Sequence, residues 1–515
     1  MQDIRLSLSD MTGREYCERV SQASSFLGIS SQKELQKLAE TPVDFFPKEL
    51  EQRLDSLLER TGSVVSEPLA HSSEGAATNA FRQALKKESA PLSGLGPYRI
   101  GEDGRLSLAA KSEHYQLSLG HNFPGYELLA HAKKLGILNA THNTTRGHVT
   151  RLLERELVRL ANGIAPGDDK AVDAVCTSTA PHVLNRVINL ETGTLACEAA
   201  IKMMLARFYR LQPHLDAPLY SGRTPVFLVM QDYRGGMEAN YHGTSIFAQM
   251  MRGMWGELYE GMERAGLYKV VSVPINDIAG FRSAIDSWDQ GKYKIAGFLH
   301  ELVLMNYGGI ELKKEYLQAC YQLCDQHDIP CFVDEIQSCM WSPEIFMFKE
   351  YEIHPDFLSV GKGFPGGEYP ASRVMTTAPM DNLNLFGALV TNGQEELASL
   401  ANLITIRFAE ANAAHTAEIA QAWRQGLDEL AKAHPKALKH IEGRGFLSAL
   451  VFEDAEKAIQ FCHIMTDKHA IDVSAQAYKA NCPPAALFKP PLIISVKMVD
   501  FMLRAMDESL KEMEK

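Results

Sequence analysis

Two periods of hydrophobic residues divide this chain. Over residues 1 to about 95, apolar positions recur at helical spacing, as in 14–28 (REYCERVSQASSFLG) and 47–62 (PKELEQRLDSLLERTG), which predicts helices joined by polar connections. Residues 66–83 (SEPLAHSSEGAATNAFRQ) are small and polar and read as a linker or mobile loop. The next stretch, 97–110 (PYRIGEDGRLSLAA), predicts a hairpin turning at Asp103 and Gly104. From about 170 to 375 the pattern changes to short, nearly continuous apolar runs: 224–230, 268–275, 294–301, 329–335 and 357–362. Amphipathic helical stretches such as 195–211 and 314–328 separate them. Apolar strands alternating with helices predict an α/β fold with a mainly parallel sheet covered on both faces. Ligands of such sheets sit beyond the carboxyl ends of the strands.

Beyond about residue 395 helices dominate, followed by a mixed segment that predicts a second, smaller α+β domain. The expected division is a helical extension over 1–97, a lead-in and first part of the small domain over 98–165, a large domain over 166–395, and the rest of the small domain over 396–515.

A length of 515 residues suits one large domain plus a smaller one. The net charge of −12 argues against nucleic acid or an anionic membrane as a partner, because such surfaces need a basic patch. No apolar run approaches the roughly 20 residues that cross a bilayer. The first twenty residues have no basic flank followed by an apolar stretch, so no signal peptide is expected and a cytoplasmic location is. Nine cysteines are scattered without a CxxC pair. Cys320, Cys324 and Cys331 come nearest to a cluster, yet reduced buried thiols explain them better than a metal site.

The run 329–335 ends in Asp334 and Glu335, with Gln337 two positions on, and the run 357–362 ends in Lys362. An acid and a lysine at two strand ends can face one crevice. A pyridine-ring cofactor needs that pair: the carboxylate keeps the ring nitrogen protonated, and the amine forms an imine and shuttles a proton. Taken alone, the pair reads first as a strand-end acid and a solvated lysine. Residues 190–202 (LETGTLACEAAIK) open a helix directly from a turn. Gly193 and Thr194 then offer free backbone N–H groups as a phosphate cradle, or Thr194 is an ordinary cap.

Taken together these motifs resemble the class III (ornithine/4-aminobutyrate-type) aminotransferases of fold type I, which use pyridoxal 5′-phosphate, over roughly residues 98–505. Leu119 to Pro124 resembles the GHxxP segment. Thr192-Gly193-Thr194 followed by Glu198-Ala199-Ala200 resembles the phosphate-binding segment, and Tyr241-His242-Gly243 resembles YHG, whose aromatic ring stacks on the cofactor. Asp334-Glu335-Ile336-Gln337 resembles DEVQ, and Gly361-Lys362-Gly363 resembles the AKG that carries the imine lysine. Thr391-Asn392-Gly393 leading into Leu397-Ala398 resembles the segment whose threonine reaches the neighbouring subunit's phosphate. The resemblance implies a large domain with a seven-stranded sheet and a homodimer with composite sites. It also implies that Lys362 and Asp334 are catalytic, and that Gly193, Thr194, Tyr241, Gln337 and Thr391 bind the cofactor.

Three departures touch the substrate side. Ser338 to Pro343 replaces the family's TGFGRTG. The switch glutamate is Asn306, and the arginine three residues before PPL is Leu487. Losing both halves is coherent, since a buried arginine without its partner is costly. The asparagine resembles the glutamate-semialdehyde aminomutase branch. Lys489, Arg146 and Arg234 are then the candidates for gripping a substrate carboxylate, each equally a structural ion-pair partner. His242 and His121 read as structural neighbours rather than acid–base groups. The leading expectation is transamination between an amine or amino acid and a keto acid or aldehyde. Aminomutase, epimerase or decarboxylase chemistry on the same cofactor is the alternative, and a non-catalytic protein of the same fold stands further off.

Overall fold

A computed structural model describes residues 1–84, 89–476 and 481–515. Seven strands form the large sheet: β1 (Leu184–Leu190), β2 (Thr224–Met230), β3 (Lys269–Val273), β4 (Tyr293–His300), β5 (Cys331–Asp334), β6 (Phe357–Val360) and β7 (Ser372–Thr377). Their spatial order is β1-β7-β6-β5-β4-β2-β3. From β6 across to β3 neighbours are parallel. β7 runs antiparallel to both β6 and β1. The carboxyl ends of β1, β4, β5 and β6 therefore share one edge, where the chemistry-bearing residues are expected.

Every residue of β2 and β5 is buried, as continuous apolar runs require when helices cover both faces. Two strands, β1 (LNRVINL) and β7 (SRVMTT), are absent from the apolar runs because half of their residues are polar. β7 is nonetheless fully buried, and several of its polar groups find partners inside, although Arg373 Nε and Thr377 Oγ1 have no hydrogen-bond partner among the described residues. The Arg373 guanidinium donates to the carbonyls of Ser372 at 2.9 Å and Leu190 at 3.4 Å, and Thr376 Oγ1 donates to the Asp356 carbonyl at 3.0 Å.

The hairpin expected at Asp103-Gly104 forms between Tyr98–Gly101 and Leu106–Ala109. It is extended on one side by Pro91–Leu95, a strand inside the stretch expected to be helical, and on the other by Ile471–Asp472 from near the C-terminus. A second four-stranded sheet joins His440–Arg444, Leu447–Val451, Ala485–Phe488 and Ser474–Gln476. The N-terminal helices Leu8–Thr12, Arg14–Phe26, Gln32–Glu40 and Lys48–Leu57 bury Leu8, Cys17, Leu35 and Leu54 in the main core. Ser7 and Ser31 open two of them with reciprocal capping boxes. His148 stacks on Tyr16 at 4.3 Å and bonds the Thr12 carbonyl at 2.8 Å, tying the extension to the helix His148–Ala161. Among the described residues no helix is long and apolar enough to cross a membrane.

At the opposite end of the sheet, His182 lies 3.3 Å from both Asp356 and Asp325. The Asp356 carboxylate beside it holds the imidazole above its ordinary value, against the opposing effect of burial. The folded state thus binds a proton more tightly than the unfolded one. The stabilisation is complete below the ordinary histidine value and is lost as pH rises through the folded value. His182→Ala should therefore lower the thermal midpoint more at about pH 5.5 than at about pH 8.5. An equal loss at both, read by differential scanning fluorimetry, would contradict the assignment.

Candidate active site

Asp334 ends β5, and Lys362 stands two residues beyond β6. The two strands pair in parallel with Asp334 opposite Ser359, so Lys362 lies about 10 Å further along the strand direction, beyond the same sheet edge. At Lys362 the backbone turns into the left-handed region (φ 41°), unusual for a residue with a side chain, and the strand ends there. Both residues line one cavity of about 370 Å³ together with Gly193, Thr194, Tyr241 and Gln337.

Asp334 is only 4% exposed, yet its carboxylate stays charged. Burial opposes the charge, but hydrogen bonds outweigh burial and hold the group below its ordinary value. Oδ2 accepts from His242 Nδ1 at 2.9 Å and from the Cys197 thiol at 3.3 Å. Oδ1 accepts from Ser359 Oγ at 2.7 Å and from the Ile336 N–H at 3.1 Å. The Cys197 thiol, raised by burial and then by Asp334 itself, remains a donor. Burial pushes the Lys362 amine below the ordinary lysine value, while Glu301 and Asp334 pull the other way.

The cradle is built by close backbone approach. Helix Gly193–Leu205 starts at Thr192, whose side chain accepts from the Leu195 N–H at 3.4 Å. A Cβ on Gly193 would lie 2.8 Å from Ile336, the residue before Gln337. A Cβ on Gly243 (φ 102°) would lie 2.7 Å from the Thr194 backbone, so only glycine fits there. Gln337 Nε2 donates to Glu301 Oε1 at 3.0 Å. Tyr241 lines the same cavity with the Arg252 guanidinium 5.1 Å over its ring.

Other expected residues lie elsewhere. Thr391 is exposed and does not line the cavity of its own chain. Arg146 pairs with Glu154 through both Nε and Nη2. Arg234 is exposed beside the turn at Asp232. Lys489 corrects the expectation of a substrate grip: it is fully buried outside the cavity lining, over the ring of Trp341. His121 bonds Glu113 at 3.2 Å, in keeping with a structural role. Asn306 and Leu487 are both buried, and neither lines the cavity.

Sequence reasoning missed Cys197, Ser359 and Glu301, and treated His242 as a mere neighbour. Periodicity held a signal for two of these. Cys197 lies one helical turn after Gly193, and Ser359 is the polar break in an apolar strand three residues before Lys362. Glu191, His114 and Gln116 also line the cavity. Burial, with help from Lys362, Lys111 and Lys489, pushes His114 down to about 3.

The residues present fit pyridoxal phosphate. A charged buried carboxylate faces the cavity floor, and a helix N-terminus stripped of side-chain bulk faces its side. Two buried polar atoms, His242 Nε2 and Gln337 Oε1, have no hydrogen-bond partner among the described residues. Both residues line the cavity. Cys197, His242 and Asp334 also group their ligand atoms within 4.8 Å, but hydrogen bonds among them account for that grouping without an ion. If Gly243 keeps the cradle open, Gly243→Ala should weaken pyridoxal phosphate binding about ten- to a hundredfold with the fold intact. Titration of cofactor-free protein checks this, and unchanged affinity would rule the cradle out.

Residues 96–510 match the family described as class-III aminotransferases. The acetylornithine aminotransferase of Caldanaerobacter subterraneus subsp. tengcongensis is 25% identical over 250 residues, 47% of this chain and 58% of that protein. The chain thus spans under two thirds of that relative's length. The acetylornithine aminotransferase of Thermosynechococcus vestitus is 25% identical over 338 residues, 63% of this chain and 74% of that protein. Among solved structures, the adenosylmethionine-8-amino-7-oxononanoate aminotransferase of Methanocaldococcus jannaschii aligns with a TM-score of 0.65 at 20% identity, covering 90% of this chain and 99% of that one. The ornithine aminotransferase of Toxoplasma gondii aligns with 0.65 at 19% identity, covering 85% and 99%. At such identities these structural likenesses speak for the fold, that of fold type I enzymes. The sequence match spans most of the chain and includes every strand of the large sheet, and on that ground the chain belongs to the class-III aminotransferase family, whose members depend on pyridoxal phosphate.

Proposed function

We propose that this chain transfers an amino group between an amine or amino acid donor and a keto acid or aldehyde acceptor, with Lys362 as the residue that holds pyridoxal phosphate. One observation carries the reading: Lys362 and Asp334 stand at the carboxyl ends of adjacent parallel strands and line one cavity with a backbone phosphate cradle.

When bound, the cofactor supplies an aldehyde for amines and a ring that withdraws electrons from the substrate carbon. The protein's own groups do the rest. The Lys362 amine, lowered by burial, is more often neutral than a surface lysine, so it serves as nucleophile and then as carrier of the proton at the substrate carbon. Asp334, fixed by four donors, presents a permanent negative charge toward a ring nitrogen. Gln337, oriented by Glu301, would hold the ring's oxygen, Tyr241 would stack on the ring, and the N–H groups of Gly193 and Thr194 would take the phosphate. Thr391, exposed on its own chain, fits a role at the neighbouring subunit's phosphate in a cytoplasmic homodimer.

Asn306 and Leu487 favour keeping a second reading, an aminomutase, epimerase or decarboxylase on the same cofactor, because the usual α-carboxylate switch is missing. A panel of amine donors, with acetylornithine-type amino acids among them, separates the two in single turnover. A transaminase converts the cofactor to its amine form with a donor alone and is reset by a keto acid. Consumption of the donor with neither event would sink transamination. Lys362→Ala should lower the rate about a thousandfold or more while the cofactor still binds.

A further inference from the structure

Lys489 is 0% exposed, an unusual position for a lysine. It directly follows the strand Ala485–Phe488, and its backbone is tied on both sides: the N–H donates to the Ala110 carbonyl at 2.9 Å, and its carbonyl accepts from Ser112 Oγ. Its ammonium sits 3.5 Å from the centroid of the Trp341 ring and donates to the backbone carbonyl of Gln337. Trp341 is itself anchored, its indole N–H donating to the Pro490 carbonyl at 2.9 Å. That indole also closes on Gly363, where a Cβ would come within 2.3 Å of the ring. Gly363 is the residue after Lys362. The ammonium thus bridges two parts of the site, the Gln337 backbone and, through Trp341, the loop that carries Lys362.

We propose that Lys489 is a positioning residue that locks Gln337 and the Lys362 loop into one register. The inference rests on the reading of Lys362 as the cofactor-holding residue. The cation–π contact and the carbonyl are the partners a buried ammonium needs. An apolar side chain of similar length would fill the space without a desolvation cost but could not donate to the Gln337 carbonyl. Lys362 and His114 are titratable groups it faces from the cavity side: burial lowers Lys489 well below the ordinary lysine value, Lys362 lowers it further, and Lys489 adds to the lowering of His114. Cys339 and Glu301 oppose the effect from their own elements.

The test uses holoenzyme with Lys489→Met, Lys489→Gln and Trp341→Phe, read by the pH titration of the bound cofactor's visible absorbance and by cofactor affinity. Loosening that register changes the protonation of the lysine-bound cofactor, so Lys489→Met should shift the titration midpoint by about one pH unit and weaken affinity about tenfold. Lys489→Gln keeps a donor for the Gln337 carbonyl, so it should restore most of the wild-type midpoint and affinity. Trp341→Phe should move the midpoint the same way as Lys489→Met, by less. A folded Lys489→Met protein with the wild-type midpoint and affinity overturns the proposal. Failure of both Lys489 variants to fold also overturns it, in favour of a purely structural role. Wild-type protein that shows no visible band with pyridoxal phosphate instead overturns the functional reading on which this one stands.

Discussion

A buried negative charge organises this molecule. Asp334 sits at the carboxyl edge of a parallel sheet, away from water, and would take up a proton there without compensation. Four donors from four places prevent this: the loop after β2 through His242, the helix after β1 through Cys197, strand β6 through Ser359, and its own following turn through the Ile336 N–H. Each of these segments also contributes to the cavity or leads into a part that does. The elements are thus gathered by the requirement that one carboxylate remain ionised, and the cofactor site forms where they meet.

Backbone rather than side chains builds the phosphate side. Gly193 packs on Ile336 and Gly243 on Thr194, so two contacts short enough to exclude a methyl group register the cradle against the residues beside Asp334. The distance between the phosphate end and the ring-nitrogen end of the site is fixed by main chain, which tolerates little adjustment. His114 and Gln116, which line the same cavity, come from a segment outside that register.

The apolar strands β2 to β6 were legible because burial on both faces leaves no polar alternation to confuse them. β1 and β7 were hidden for the opposite reason: Asn189, Arg373 and Thr376 are polar yet buried, their bonds supplied by partners remote in sequence. Motif order was enough to gather Asp334, Lys362, Gly193, Thr194, Tyr241 and Gln337, which all line one cavity. Order could not reveal that His242 and Cys197 bond Asp334 across 92 and 137 positions. The structural alternative for Lys489 holds, but its partner was not legible, because Trp341 reads in sequence only as a departure from a motif.

The pairing of Ile471–Asp472 beside Leu106–Ala109 joins the two ends of the chain in one small sheet, and Arg99 reaches Asp472 across 373 positions. During synthesis that sheet must wait, with one edge open, until nearly the whole chain has emerged. The edge of Leu106–Ala109 is then a strand without its neighbour for most of translation, and long-range closure of this kind is slow. The nascent protein is thereby exposed to mispairing at a place that the finished fold conceals, and its yield in a cell depends on how long that edge is kept from other chains.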